Sequence, residues 1–426
     1  MNKINSKAKI ESVRALQILD SRGVPTLSVT VSLSDGTAAS AQVPAGTSFG
    51  RHEAHELRDG GAAYGGLGVL RAVENIEKTI FPKLKGMQVS EQAKMDEIMR
   101  ELDGTADKSV LGANAIIGVS LALARAGAKS AAIPLYRYIR EVYSLTYKGF
   151  SLPQPMFNVL NGGKHANSGM DTQEFMYVPA RSESFAGMLQ SSAEVFNELR
   201  VLLERQNLNT TVGLEGGFAP KLARSREAIM LLVEAAEHAG IAAGGFGIAL
   251  DVAASELYEE DEENRYVFRR ENANFSREKL IAWYEELVSE FPIILIEDGL
   301  DQEDWEGWTV LKQRLGNRIK IVGDDLTVTN PKLIKKAITE NAINGVIIKP
   351  NQIGTLTETI ASITLAQINN ISLVVSHRSG DTVDDFISDL AVAVNAEFMK
   401  SGSVTRGERV AKYNRLLEIE KEFSKK

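Results

Sequence analysis

The second half of the chain repeats one pattern, a short apolar run that ends on a charged residue. The runs close at Asp251 (Gly-Ile-Ala-Leu-Asp), Glu297 (Ile-Ile-Leu-Ile-Glu), Asp324 (Lys-Ile-Val-Gly-Asp), Lys349 (Val-Ile-Ile-Lys) and His377-Arg378 (Val-Val-Ser-His-Arg). The last three steps are each roughly 25–30 residues, the length of one strand, one helix and two loops. The step from Asp251 to Glu297 is longer. Between the runs the period becomes helical: Leu280, Trp283, Tyr284 and Leu287 share one face of 276–290. Asn330-Pro331 reads as an N-cap followed by proline at the first helical position, and Thr355 with Glu358 has capping-box spacing. Alternating strands and helices predict a parallel sheet, and the number of units favours a (β/α)₈ barrel whose strand ends converge on one face.

Earlier residues follow another pattern. The run 26–33, rich in Val, Leu and Thr, the turn signal Asp35-Gly36 and the run 38–43 predict a hairpin. Val69, Ala72, Val73 and Ile76 fall at helical spacing, and 113–128 is dominated by small residues, which suits a helix packed closely on its neighbours. Strands followed by helices predict an α+β domain over 1–145, ahead of a barrel over 146–426. The densely charged segment 259–270 is expected to be a solvated hairpin or loop. Gly65-Gly66-Leu67-Gly68 lacks the preceding strand that a phosphate loop requires, so it reads as a turn.

Composition narrows the function classes. The 426 residues carry 44% hydrophobic and 24% charged side chains and a net charge of −8, which argues against nucleic-acid binding through bulk charge. With no cysteine, disulfide and thiolate chemistry are excluded. The stretch 114–135 is apolar but interrupted by Arg125 and Lys129, so it reads as a buried helix rather than a membrane span. MNKINSKAKIES holds no apolar core of signal-peptide type, and a soluble cytoplasmic protein is the expectation.

The charged run ends suggest a metal site. Asp251, Glu297 and Asp324 are hard oxygen ligands of the kind that suits Mg²⁺; individually, each could instead cap a helix after its strand. Asp298 and Asp325 stand beside them as supporting partners or caps. Lys349, beside metal cations, would have its charged form disfavoured and become a general base; the alternative is a surface lysine. His377-Arg378-Ser379-Gly380 offers a planar cation, a hydroxyl and backbone donors to a phosphate or carboxylate; Arg378 could equally pair with a neighbouring acid. Lys400 ends one more apolar run, 391–399. The glycine loop Asn161-Gly-Gly-Lys-His165, then Gln173-Glu174, and Glu215 between glycines complete the set. A like charge at Glu174 would raise the proton affinity of Glu215 and make it a usable general acid; the alternative is two loop glutamates facing water.

These segments together resemble the enolase family over nearly the whole length. The shared stretches include LDSRGVPT, HEAHELRDG, NGGKHA, QEFM, LEGGFAP, LDVAASELY, IEDGL, GDDLTVTNP, IKPNQIGTLTET, SHRSGDT and GERVAKYNRLLEIE. The resemblance implies an α+β cap on a modified barrel whose second strand runs antiparallel to most of the others. It implies reversible dehydration of 2-phospho-D-glycerate to phosphoenolpyruvate in glycolysis and gluconeogenesis, with two Mg²⁺ per active site. By this resemblance Asp251, Glu297 and Asp324 hold the first ion, and Ser48 helps hold the second, which arrives with substrate. Lys349 abstracts the C2 proton. Glu215, supported by Glu174, protonates the departing hydroxyl, and His165 and His377 stand with this catalytic group. Arg378 and Ser379 take the phosphate; Lys400 and Gln173 lie near the substrate carboxylate, and His165 and Glu174 face the substrate. The implied partners are a phosphorylated small molecule and a second copy of the chain in a homodimer or larger oligomer, with neither nucleic acid nor membrane. The chain departs from the family at three places: Ala45 and Phe49 in the first glycine loop, Leu214 before Glu215, and Asn395, Glu397 and Phe398 before Lys400. Leu214, Ala45 and Phe49 motivate one alternative, a divergent homologue acting on a related phosphonate or phosphorylated 2-hydroxy acid; an alternative of another class is a non-catalytic binding or scaffold protein that keeps the fold.

Overall fold

A computed structural model describes residues 7–182, 184–260 and 265–424. Three antiparallel strands, β1 (Ile10–Leu19), β2 (Pro25–Leu33) and β3 (Ala38–Gln42), form a meander. The β2–β3 turn falls at Asp35-Gly36, where Gly36 takes φ +81° and the Asp35 carboxylate accepts the Thr37 N–H at 2.9 Å. Leu27, Val29, Val31 and Leu33 point to one face of β2 and are buried. That face receives the helix Ala113–Ser130, and its small residues set the distance: a Cβ on Gly118 would lie 2.7 Å from Val29 Cγ2. The expected helix after Val69 forms, but it widens into a π-helical turn over Asn75–Ile80 just before Pro82, whose ring excludes the ordinary bond to the carbonyl four residues back. Gly65 and Gly66 end a 3₁₀ turn over Ala63–Gly66, and Gly68 is buried just beyond it, so the segment is a turn, as expected.

The barrel begins with β4 (Gln154–Asn161), β5 (Glu174–Pro179) and β6 (Phe246–Asp251). A separate antiparallel sheet follows, β7 (Tyr258–Glu259), β8 (Arg265–Phe268) and β9 (Ala273–Phe275), and this insertion accounts for the long step from Asp251 to Glu297. The charged segment is thus a hairpin as read, with 261–264 lying outside the described residues. Strands β10 (Ile293–Glu297), β11 (Lys320–Gly323), β12 (Gly345–Ile348), β13 (Ser372–Ser376) and β14 (Phe398–Lys400) close the ring onto β4. β5 is antiparallel to both neighbours, and every other barrel pairing is parallel. The interior is plugged by Met156, Met176, Val178, Ala249, Leu295, Val322, Ile347, Val374 and Phe398, so the polar side chains above it sit on a dry floor.

Local signals act where they were read. Ser276, Asn330 and Thr355 each accept a backbone N–H at a helix start. The apolar run 391–399 is not one element: the helix Phe386–Ala393 ends and Asn395 takes φ +49°, breaking the run before β14. Asn tolerates that left-handed conformation, so this departure from a glycine-containing stretch keeps the turn. No single helix among the described residues is long and apolar enough to cross a membrane.

Cap and barrel are joined through buried polar groups. Lys108 of the cap lies 3.1 Å from Glu358 on the barrel helix Leu356–Ile368. Asp96 accepts from Thr357 N (3.0 Å), Thr357 Oγ1 (2.5 Å) and Gln92 Nε2 (3.1 Å), all of them neutral donors. Burial therefore dominates and pushes the Asp96 carboxyl from 3.8 up to about 6. The folded value lies above the unfolded one, so this group's stabilising contribution is complete below pH 4 and is lost as pH rises through about 6, a loss of about 3 kcal/mol. Asp96→Asn is expected to raise the Tm relative to wild type at pH 7 and to give no gain at pH 4, measured by thermal unfolding at both values.

Candidate active site

The pairing register brings the acidic strand ends together. Glu297 lies directly opposite Asp251 across the β6–β10 pair, and Asp324 follows the end of β11, the next strand round. All three are buried, as are Arg378 and Lys400, while Lys349 is partly buried. Their side chains meet at a narrow polar cleft whose walls also carry Ser48, His165, Gln173, Glu174, Glu215, His377 and Ser379.

Two lysines compensate the carboxylates. Lys400 Nζ lies 2.7 Å from Glu297, 3.3 Å from Asp251 and 3.5 Å from Glu174. Lys349 Nζ pairs with Asp324 Oδ2. Burial and the neighbouring Asp251 push Glu297 up to about 8. Asp324 is raised by burial, but Lys349 and Lys400 outweigh that and hold it below its usual range. The sequence expectation for Lys349 supposes metal cations beside it. Burial lowers it, yet Asp324 more than compensates and its ammonium form is favoured. The expected depression requires a metal cation, and an ion on Asp324 would compete with Lys349 for the same carboxylate.

The donor set fits a hard divalent cation: carboxylates converge, and Glu297 Oε2 is buried with no hydrogen bond beyond the approach of Lys400. Asp298, rather than adding a ligand, accepts the backbone N–H of Asp324 and of Asp325, each at 2.9 Å, and so fixes the turn that carries Asp324. Among the described residues, the groups whose ligand atoms lie within 4.8 Å of one another are Asp298, Asp324 and Asp325, and His165, Glu174 and Glu215; Asp251, Glu297 and Asp324 are not drawn that close, and Lys400 and Lys349 pair with their carboxylates. Gln173 Nε2 reaches Asp251 Oδ2 at 3.4 Å.

Opposite the lysines stands a carboxyl pair. Glu174 and Glu215 flank His165, whose Nδ1 is 3.4 Å from one and 3.6 Å from the other. Asn158 donates to Glu215 Oε2 at 2.9 Å, and His377 Nε2 is 3.4 Å from Oε1. Burial and the charge of Glu215 raise Glu174 far above its usual value. Burial also raises Glu215, but His165, His377 and Arg409 overcome it and hold it well below. Like-charge repulsion does act as the sequence argument required. The raised proton affinity, however, falls on Glu174, because Glu215 has the hydrogen-bond donors and the nearby guanidinium.

Arg378 is held by a fork. Its guanidinium bonds both Glu53 oxygens (2.9 and 3.1 Å), the Ser48 carbonyl (3.1 Å) and Asn351 Oδ1 (3.3 Å). The first glycine loop is stitched to this strand end: Ala45 and Gly380 exchange backbone bonds, and Thr47 N donates to Ser379 Oγ at 2.9 Å. Gly46 is obligatory, since a Cβ there would stand 2.1 Å from Arg378 Nη2. Ala45 is fully buried and contributes only its backbone bonds. Phe49 is 53% exposed, with its ring centroid 5.7 Å from the Arg378 guanidinium. Leu214 uses its backbone, accepting from Arg409 and donating to the His165 carbonyl, so the missing acid there does not displace Glu215.

Of the candidate site residues, all but Glu297 line this cleft, and Glu297 meets it through Lys400; Asn395 and Glu397 precede β14, at the end of the strand away from Lys400. Missed were Glu53, Asn158, Gln352 and Arg409. Gln352 is buried and donates to Asp324 at 3.0 Å and Glu53 at 3.3 Å, tying the acidic cluster to the Arg378 fork. Glu53, Gln352 and Arg409 lie within stretches that carried the family resemblance, which was the available signal.

Comparison with known proteins adds an independent line. The model of the enolase N-terminal domain matches residues 10–139, and that of the enolase C-terminal TIM barrel domain matches 149–426. Enolase of Sulfurimonas denitrificans is 49% identical over 414 residues, covering 97% of this chain and 96% of that protein. Enolase of Helicobacter pylori is 50% identical over 416 residues, covering 97% and 96%. Enolase of Nitratiruptor is 47% identical over 415 residues, covering 97% of each.

Proposed function

Because this chain belongs to the enolase family, we propose that it is a hydro-lyase that reversibly dehydrates 2-phospho-D-glycerate to phosphoenolpyruvate. The observation that carries the proposal is the cleft itself, with an acidic cluster, a lysine, a carboxyl pair flanking a histidine and a forked arginine on one barrel face. Lys349 removes the C2 proton. The Glu174–Glu215 pair holds one proton between two carboxylates and gives it to the departing hydroxyl. Arg378, held in orientation by Glu53, and Ser379 bind the phosphate bidentately or through single bonds. Lys400 and Gln173 face the substrate carboxylate, where negative charge develops as the proton leaves. Bound at Asp251, Glu297 and Asp324, Mg²⁺ would neutralise part of that charge; Ser48 is the candidate to help hold a second ion.

A homodimer in the cytoplasm belongs to the same proposal. Exposed Leu16, Leu19, Leu67 and Leu70 support a covered face, and the Gln17 side chain, bonded to Val69 N, joins their two segments. The intact Lys349, Glu215 and Arg378 weigh against a purely structural role, and the backbone roles of Ala45 and Leu214 weigh against a changed substrate.

Purified protein with Mg²⁺ is expected to form phosphoenolpyruvate from 2-phosphoglycerate with a higher kcat/KM than from phosphonate or other phosphorylated 2-hydroxy acid analogues, and to lose turnover on chelation. A preference for an analogue would move the assignment to a divergent substrate.

A further inference from the structure

Arg409 is fully buried on the helix Gly407–Phe423, yet it reaches three parts of the cleft wall. Its Nη1 lies 2.6 Å from His377 Nδ1 and donates to the Arg378 carbonyl at 2.6 Å. Its Nη2 donates to the Ser379 carbonyl at 2.6 Å and the Leu214 carbonyl at 3.0 Å. A guanidinium has donors only. His377 Nδ1 must therefore accept, and a proton there would set N–H against N–H in a contact closed to water. The single ring proton is left on Nε2, which faces Glu215 Oε1 at 3.4 Å.

We propose that Arg409 is a positioning residue that locks His377 as the neutral Nε2–H tautomer, making His377 a fixed hydrogen-bond donor to Glu215 and not a proton carrier. The same guanidinium ties the backbone before Glu215 to the backbone of Arg378 and Ser379, so it sets the carboxyl pair relative to the arginine fork. The proposal rests on the functional reading above only for the consequence in catalysis; the tautomer follows from geometry. The other groups facing this contact agree with it. Asp381 lies 3.7 Å from Arg409 Nη1 but is itself engaged by Lys412 at 3.0 Å. His165 and Glu174 lie beyond Glu215, and the Arg378 side chain points to Glu53. Burial, helped by the Arg409 charge and opposed by Glu215, holds the His377 imidazole down to about 4, so the ring is neutral wherever the enzyme would work.

Two-bond ¹H–¹⁵N correlations of histidine-labelled protein report which ring nitrogen carries the proton. The chain has five histidines, and His377→Gln identifies the His377 signals by their loss. The wild type is expected to show an unprotonated Nδ1 and a protonated Nε2 at every pH from about 5.5 to 8.5. A proton on Nδ1, or uptake of a second proton near neutral pH, overturns the lock. In Arg409→Lys, which keeps the charge but not the fork, the Nδ1–H form is expected to appear and kcat to fall about 10–100-fold, the usual effect of losing a supporting partner. KM should change far less. A folded Arg409→Lys protein with the wild-type His377 spectrum would make Arg409 merely structural and overturn the proposal; if that variant does not fold, the wild-type spectra decide alone. The tautomer measurement needs no turnover. A wild type with the Nε2–H form but no activity on 2-phosphoglycerate would leave the lock standing and defeat only the functional reading.

Discussion

Lys349→Ala is expected to lower kcat for 2-phosphoglycerate by about 10⁴-fold, the upper end of what a general base contributes. The full loss is expected because neither Lys400 nor Arg378 can replace it. Lys400 is committed to Glu297, Asp251 and Glu174, and Arg378 cannot lose its proton. Asp324 keeps its contacts to Gln352 in the variant, so the acidic cluster should still bind Mg²⁺ with its geometry intact. Equilibrium Mg²⁺ binding and the Tm separate loss of chemistry from loss of the site. A variant that kept its Tm and its Mg²⁺ affinity yet retained more than about a tenth of wild-type kcat would remove Lys349 from the base role.

Glu215→Gln is expected to lower dehydration by about 10²–10³-fold, within the range of general acid catalysis, while leaving proton removal at C2 within about tenfold of wild type. The reason lies in the shared proton. Glu174 is strongly protonated because Glu215, supported by Asn158, His377 and the nearby Arg409, keeps the negative charge. An amide at position 215 fills the same space and can still accept from Asn158. It removes the charge that raises Glu174 and the second carboxyl of the relay, so the pair can no longer hand a proton to the leaving hydroxyl. The effect should appear in kcat for phosphoenolpyruvate formation with little change in KM, because Arg378 and Ser379 are untouched.

Much of this site could be read in the sequence because each barrel strand marks its own end. Asp251, Glu297, Asp324, Lys349 and Lys400 all fall at or one residue beyond a strand terminus. The apolar runs before them are buried strands, and that is a local property. Strand direction is not local. Nothing in the spacing separates antiparallel β5 from its parallel neighbours, and only the family resemblance anticipated it. The inserted sheet β7–β9 appeared in the sequence solely as a step that was too long. Positioning residues were harder still, because their meaning lies in distant contacts. Arg409 meets Leu214 across 195 positions, and Gln352 joins Asp324 to Glu53, nearly 300 positions away from it. Electrostatics could not be read from pairs alone for the same reason. Burial and Glu215 raise Glu174, and Asp324 favours the ammonium form of Lys349, so each outcome depends on which third group stands beside the pair. The departures at Ala45, Leu214 and Asn395 look chemical in the sequence and prove to be backbone matters in the fold.

The central claim is that a lysine on one side of the cleft removes the C2 proton and a carboxyl pair on the other completes the loss of water. Its most direct test is deuterium incorporation at C2 of 2-phosphoglycerate in D₂O with Mg²⁺, compared between folded Lys349→Ala and Glu215→Gln proteins. The account expects the Glu215→Gln protein to exchange the C2 proton without forming phosphoenolpyruvate, and the Lys349→Ala protein to do neither. Exchange retained in Lys349→Ala, or lost together with dehydration in Glu215→Gln, would contradict it.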